Sequence, residues 1–237
     1  MAKFERLPDL NALCVRDDDN GDWPLRDYGT SSENVRCHFR DLNGAFLDEL
    51  GDADAVVGCV AWVTDGKILH ALSQIQCVSL VVQKEDFLRP DRTTKAQLCA
   101  SYKRLPQPFA RAEMPAPISL LSTRCPAERW ESVRCVGNCN SDRNPAHPRM
   151  HHKFAVFCTL ADGAFTPDGC QIFRPHKVWT GSFNFTHVGG LSLENAVVIT
   201  QQEIADAYFM EWAQVACLSE PLDWTSEWVA PEYRIGT

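Results

Sequence analysis

Short apolar blocks rich in valine, isoleucine and phenylalanine alternate with stretches of helical spacing from about residue 31 onward. Ser31-Ser32-Glu33 offers a cap for a helix with apolar positions Val35, Phe39, Leu42, Phe46 and Leu50, and Gly51-Asp52 stops it. Ala55 to Val63 then predicts a buried strand, too short and too β-branched for a helix. Thr64-Asp65 caps a helix carrying Ile68, Leu69 and Leu72, and Cys77 to Val82 predicts a second buried strand. Strand, helix and strand on short connections make a βαβ unit, which calls for a parallel pair with a right-handed crossover.

A further helix is predicted from Thr93-Thr94 through Leu98 and Tyr102 to Leu105. Pro106 to Pro126 holds five prolines and little periodicity, as expected of a long loop. Glu131 to Val136 predicts a strand, Gly137 to Pro148 a turn-rich loop, and Thr200 caps a last helix with Ile204, Tyr208, Trp212 and Val215 on one face. The tail beyond it carries Trp224 and Trp228, residues that usually pack on something. Residues 1–30 are expected to be irregular, and 31–237 to form a single domain. The run Asp17-Asp18-Asp19-Asn20-Gly21-Asp22 lacks the helical flanks and terminal Glu of a calcium loop and reads as a polar turn.

The chemistry concentrates between Met150 and Asn195, in three predicted strands reading MHHKFAVF, VWTGSFNFT and SLENAVVI. Alternate residues of a strand share a face, so His151 and Lys153 project together while His152 points away. The same rule pairs Ser182 with Asn184, and Glu194-Asn195 opens the third strand. An imidazole, an ammonium, a hydroxyl, an amide and a carboxylate can thus converge at one end of a sheet. That is a set of groups for handling an anion, with a nucleophile among them.

The order and spacing of these residues resemble the phospholipase D superfamily, marked by His-x-Lys-x4-Asp followed by Gly-Ser-x-Asn. Here His151-His152-Lys153 supplies the first part, Gly181-Ser182-Phe183-Asn184 the second, and Glu194-Asn195 the pair that often follows. Cys158 stands where the family has its Asp, generally a structural residue. The resemblance implies an α/β fold, a mixed and largely parallel sheet flanked by helices on both faces. It implies that His151 attacks phosphorus to form a phosphohistidine, with Lys153, Ser182 and Asn184 on the phosphoryl oxygens and Glu194 orienting the imidazole. It implies neither metal nor other cofactor. The family normally joins two such motifs in one site; this chain has one, which implies a homodimer with the two His151 side chains near its axis.

Net charge is −8, yet Lys84 to Lys153 holds 13 Lys/Arg against 7 Asp/Glu. A basic stretch leading into the motif could steer a polyanion, and Arg143 and Arg149 could contact flanking phosphates of a nucleic acid. A phospholipid substrate and a catalytically silent scaffold remain alternatives. Eleven cysteines, scattered singly and mostly in apolar surroundings, fit reduced thiols in the cytoplasm better than a secreted framework. Cys135 and Cys139 with His147 match no standard zinc spacing. No apolar run is long enough to cross a bilayer, and the N-terminus shows no secretory signal.

Overall fold

Every residue of Ala55–Val60 is buried, as an unbroken apolar run requires of a strand covered on both faces. Ala55, Val57 and Cys59 belong to one apolar cluster and Val56 and Val60 to another, so the sheet lies between two cores. A computed structural model describes residues 7–89, 93–107, 112–121, 130–140, 148–162 and 171–233. In chain order the elements are β1 (Cys14–Val15), β2 (Trp23–Pro24), β3 (Thr30–Ser31), β4 (Val35–His38), α1 (Leu42–Glu49), β5 (Ala55–Val60), α2 (Gly66–Leu72) and β6 (Cys77–Glu85). There follow α3 (Thr93–Tyr102), β7 (Ala112–Glu113), α4 (Ile118–Leu121), β8 (Val133–Asn140), β9 (Lys153–Asp162), β10 (Gln171–Gly181), α5 (His187–Leu191), β11 (Ala196–Ile199) and α6 (Gln202–Cys217).

The main sheet runs β3-β4-β11-β10-β9-β5-β6-β8, with β7 added beside β10. It is mixed, and the expectation of a largely parallel sheet is corrected. Among the described residues only the strand pairs β5–β6, β6–β8 and β7–β10 are parallel, while β9 pairs antiparallel with both β5 and β10. The parallel pairs β5–β6 and β6–β8 are those between which the chain crosses back, through α2 in the first and through a stretch that includes α3 in the second. One face is covered by α1 and α2 through Leu42, Phe46, Ile68 and Leu72, the other by α6 through Phe209, Trp212 and Ala216.

The βαβ unit stands as predicted, with Asp65 accepting from the amides of Lys67 and Ile68 at the head of α2. The helix expected from Ser31 does not begin there. Val35–His38 pairs along its whole length with β11, and α1 starts after Asp41, whose carboxylate accepts from Gly44 N–H. The loop expected from Gly137 is still strand as far as Asn140. Thr200 is not the cap of α6; Gln201 holds that position without a side-chain bond. The Asp17 run folds as a turn, its carboxylate accepting from Asp19 and Asn20 amides.

Beyond α6 the chain is fastened across β8, the last strand of the sheet. Lys84 is completely buried, pairs with the Glu220 carboxylate and donates to the carbonyls of Ser226 and Trp228 at 2.9 and 2.8 Å. Arg134, also buried, reaches Ser219 Oγ at 2.8 Å and Glu232 at 2.5 Å, with its guanidinium against the rings of Trp130 and Tyr233. Trp224 packs into the core below Lys84, whereas Trp228 is exposed.

Candidate active site

The carboxyl ends of β5, β6 and β8 and the start of β9 meet at one end of the sheet, because β9 runs antiparallel to β5 with Val60 opposite Lys153. Ala61 N–H donates to His152 O at 2.9 Å and holds the motif segment beside β5. From the other side, Gln83, with no exposed surface, accepts from Met150 N–H at 2.9 Å and donates to Asn138 O and Lys84 O at 2.6 and 2.8 Å. Gly137 makes room for it: at φ +102° a Cβ there would lie 2.3 Å from Gln83 Oε1. The residue before His151 is therefore tied to two strands.

His151 is exposed and Lys153 partly so. Lys153 Nζ donates back to His151 O at 3.0 Å. Both face Trp62, whose ring centroid is 5.9 Å from the His151 ring, edge-on, and 5.9 Å from Lys153 Nζ. Partial burial and the positive charges of Lys153, Arg149 and His152 hold the His151 imidazole below its ordinary value. Burial likewise lowers the Lys153 ammonium, with Glu194 pulling it up and Arg149 down. A neutral imidazole next to concentrated positive charge suits attack on an anion.

The second motif comes from the end of β10. Gly181 lies so close to β11 that a Cβ would sit 2.2 Å from Asn195 O, so the motif glycine is set by backbone approach. Ser182 Oγ accepts from Asn195 N–H at 3.0 Å, and Ser182 N–H donates to Asn195 O at the same distance. Ser182 thereby pins the turn carrying Glu194. Asn184 is buried, its Oδ1 has no hydrogen-bond partner among the described residues, and it lines a cavity of about 500 Å³ with Trp62, Phe87, Val188 and Glu194. Among the described residues Glu194 makes no hydrogen bond to His151; its charge acts on Lys153.

Arg149 is exposed and lines a second hollow with His151 and His152. Arg143 and His147 lie outside the described residues. The basic tract does not form one stripe at the site, since Lys84 and Arg134 are buried in ion pairs elsewhere. Cys158 is fully buried in the α6-side core, where burial first, then Cys77 and Asp206, push its thiol far up. Two residues had escaped sequence reasoning. Trp62 stood at the carboxyl end of a parallel strand, where α/β sheets place their sites; Gln83 sat between the apolar run ending at Val82 and the charged Lys84-Glu85-Asp86, with nothing to mark it as buried.

A mixed sheet with helices on both faces presents an imidazole, an ammonium, an amide and a carboxylate at one end. The chain belongs to the same family as uncharacterized protein L381 of Acanthamoeba polyphaga mimivirus, with 30% identity over 206 residues covering 83% of this chain and 70% of that protein. No family model matches the sequence. Among solved structures it is similar to the phospholipase D family member Nuc of Salmonella typhimurium (TM-score 0.44, 16% identity, 78% of this chain and 95% of that one). It is also similar to NucT of Helicobacter pylori (TM-score 0.42, 11% identity, 76% and 96%). Phosphatidylserine synthase of Haemophilus influenzae gives a TM-score of 0.37 at 12% identity, over 84% and 42%. At such scores the motif residues, not these likenesses, carry the functional argument.

Proposed function

We propose that this protein is a phosphodiesterase of the phospholipase D type that hydrolyses DNA or RNA through a phosphohistidine at His151, without a metal in the chemical step. The observation that carries the reading is the meeting of His151 and Lys153 around Trp62, whose cavity Asn184 and Glu194 also line. An imidazole nitrogen of His151 attacks phosphorus, the bond to the leaving oxygen breaks, and that oxygen takes a proton from an acid. Water then attacks the phosphohistidine, returns a proton to the acid group, and frees the imidazole and a phosphate monoester. Lys153 and Asn184 hold the non-bridging oxygens, and Ser182 holds the Glu194 turn.

The acid is the His151 of a second copy, which makes the active form a two-fold homodimer. Arg149, with Arg143, contacts flanking phosphates. The buried free thiols of Cys59 and Cys158 suit a reducing compartment such as the cytoplasm. Phospholipid is the second reading, favoured by Val188 and Leu193, apolar residues more than half exposed beside Asn184 and Glu194. Among the described residues no helix is long and apolar enough to cross a membrane.

The test is a panel of DNA, RNA and cardiolipin vesicles in EDTA, with wild type and His151→Ala, alongside light scattering. Salt-sensitive cutting of nucleic acid by a wild-type dimer, lost in His151→Ala, is expected. Salt-insensitive turnover of vesicles with intact DNA and RNA overturns the nuclease reading. No turnover of any substrate makes the fold a binding scaffold.

A further inference from the structure

The phosphate site leaves one large, partly exposed aromatic side chain without a role. We infer that Trp62 is the platform on which a nucleobase of the substrate stacks, the base belonging to the nucleotide whose phosphate His151 attacks. This rests on the phosphodiesterase reading and names what that site recognises beyond phosphate.

Trp62 is held between the two motif strands by its neighbours. On one side Ala61 N–H bonds His152 O at 2.9 Å. On the other, Val63 bridges Phe185, and the amides of Thr64 and Asp65 donate to Phe185 O at 2.8 and 2.9 Å. The indole N–H donates to Glu85 Oε1 at 3.1 Å, so the one polar edge of the ring is satisfied and its plane is set. A ring fixed in advance loses little freedom when another ring lies on it.

Position and surroundings select the ligand. The indole is 5.9 Å from the His151 ring, on the scale of the single ribose that separates a base from its phosphate. The cavity it lines combines the apolar Phe87 and Val188 with Asn184, Glu194 and Thr186. A planar ring with a hydrogen-bonding edge matches both kinds of surface. An acyl chain would instead leave the Glu194 carboxylate, which the phosphate does not engage, facing hydrocarbon. A base can lie on the indole only after leaving its own stack, so single strands are preferred over duplex.

The experiment measures binding apart from turnover. In the His151→Ala background, fluorescence anisotropy compares a short oligothymidylate with an abasic strand of the same length. The oligothymidylate is expected to bind about tenfold or more tightly than the abasic strand, the scale of one stacked base. Adding Trp62→Leu should erase most of that preference, and Trp62→Phe, which keeps a flat ring, should retain most of it. Equal binding of the two strands overturns the inference, as does a preference that survives Trp62→Leu. Should Trp62→Leu fail to fold, the two-strand comparison and Trp62→Phe still decide. Failure of the phosphodiesterase reading would show separately, as wild type that keeps the base preference but turns over neither oligonucleotide nor bis(p-nitrophenyl) phosphate.

Discussion

Replacing Gln83 with alanine should weaken both the fold and the reaction, and the two losses can be measured apart. The side chain makes three hydrogen bonds, to Met150 N–H, Asn138 O and Lys84 O. Each contributes on the order of 0.5–1.5 kcal/mol, and stranding the buried Met150 N–H adds to the loss. With the void left behind, about 3 kcal/mol is expected from urea unfolding. A protein of ordinary stability survives that. Met150 directly precedes His151, so its release lets the imidazole drift, and misplacement of about 1 Å can cost roughly 100-fold in rate. The assay is kcat on bis(p-nitrophenyl) phosphate in EDTA, at a temperature where the variant is fully folded. Gln83→Met keeps most of the volume but none of the bonds, and should match the alanine variant in kcat while unfolding less readily. A kcat within twofold of wild type in either variant would refute the claim that Gln83 positions His151.

Lys84→Met should cost about 3–5 kcal/mol in urea unfolding because Glu220 loses its buried partner, and adding Glu220→Leu should restore much of it; purely additive losses would contradict this. The acid limb of kcat/KM should fall below the ordinary histidine value, since a lowered pKa keeps His151 neutral to lower pH and activity rises as pH climbs through it. Arg149→Ala should move the His151 titration upward by NMR, and a limb above the ordinary value would count against the site. Cys158→Asp should destabilise the fold without gain in activity, because the position is fully buried in an apolar core with Asp206 nearby. The same burial and raised thiol should leave activity insensitive to mild peroxide, and reversible inactivation traced to Cys158 would refute this.

What was legible in the chain was local. The run Ala55 to Val82 carries its strand, cap and helix signals within a few residues of one another, and the βαβ unit follows. Val35–His38 was not legible, because four residues fit a helical and an extended pattern alike and the decision comes from β11, far along the chain. The inward face of α6 was misjudged for another reason. Ala205, Ala213 and Ala216 carry little hydrophobic weight in a pattern, yet their small size lets the helix lie close on the sheet, leaving Tyr208 and Val215 partly covered. The motif residues announced themselves by order and spacing. Trp62 and Gln83 did not, since their places depend on which strands lie side by side.

The strap across β8 has a consequence for how the protein is made. Until residues 219–233 have emerged from the ribosome, β8 lacks the backbone bonds between Cys135 and Glu220 and between Cys139 and Glu227. Lys84 and Arg134 then have no Glu220 or Glu232 to neutralise them inside the growing core. The half-made chain thus carries an open strand edge prone to pairing with its neighbours. A nonsense mutation just beyond α6 would yield not a shortened, working protein but an aggregating one, with every motif residue intact.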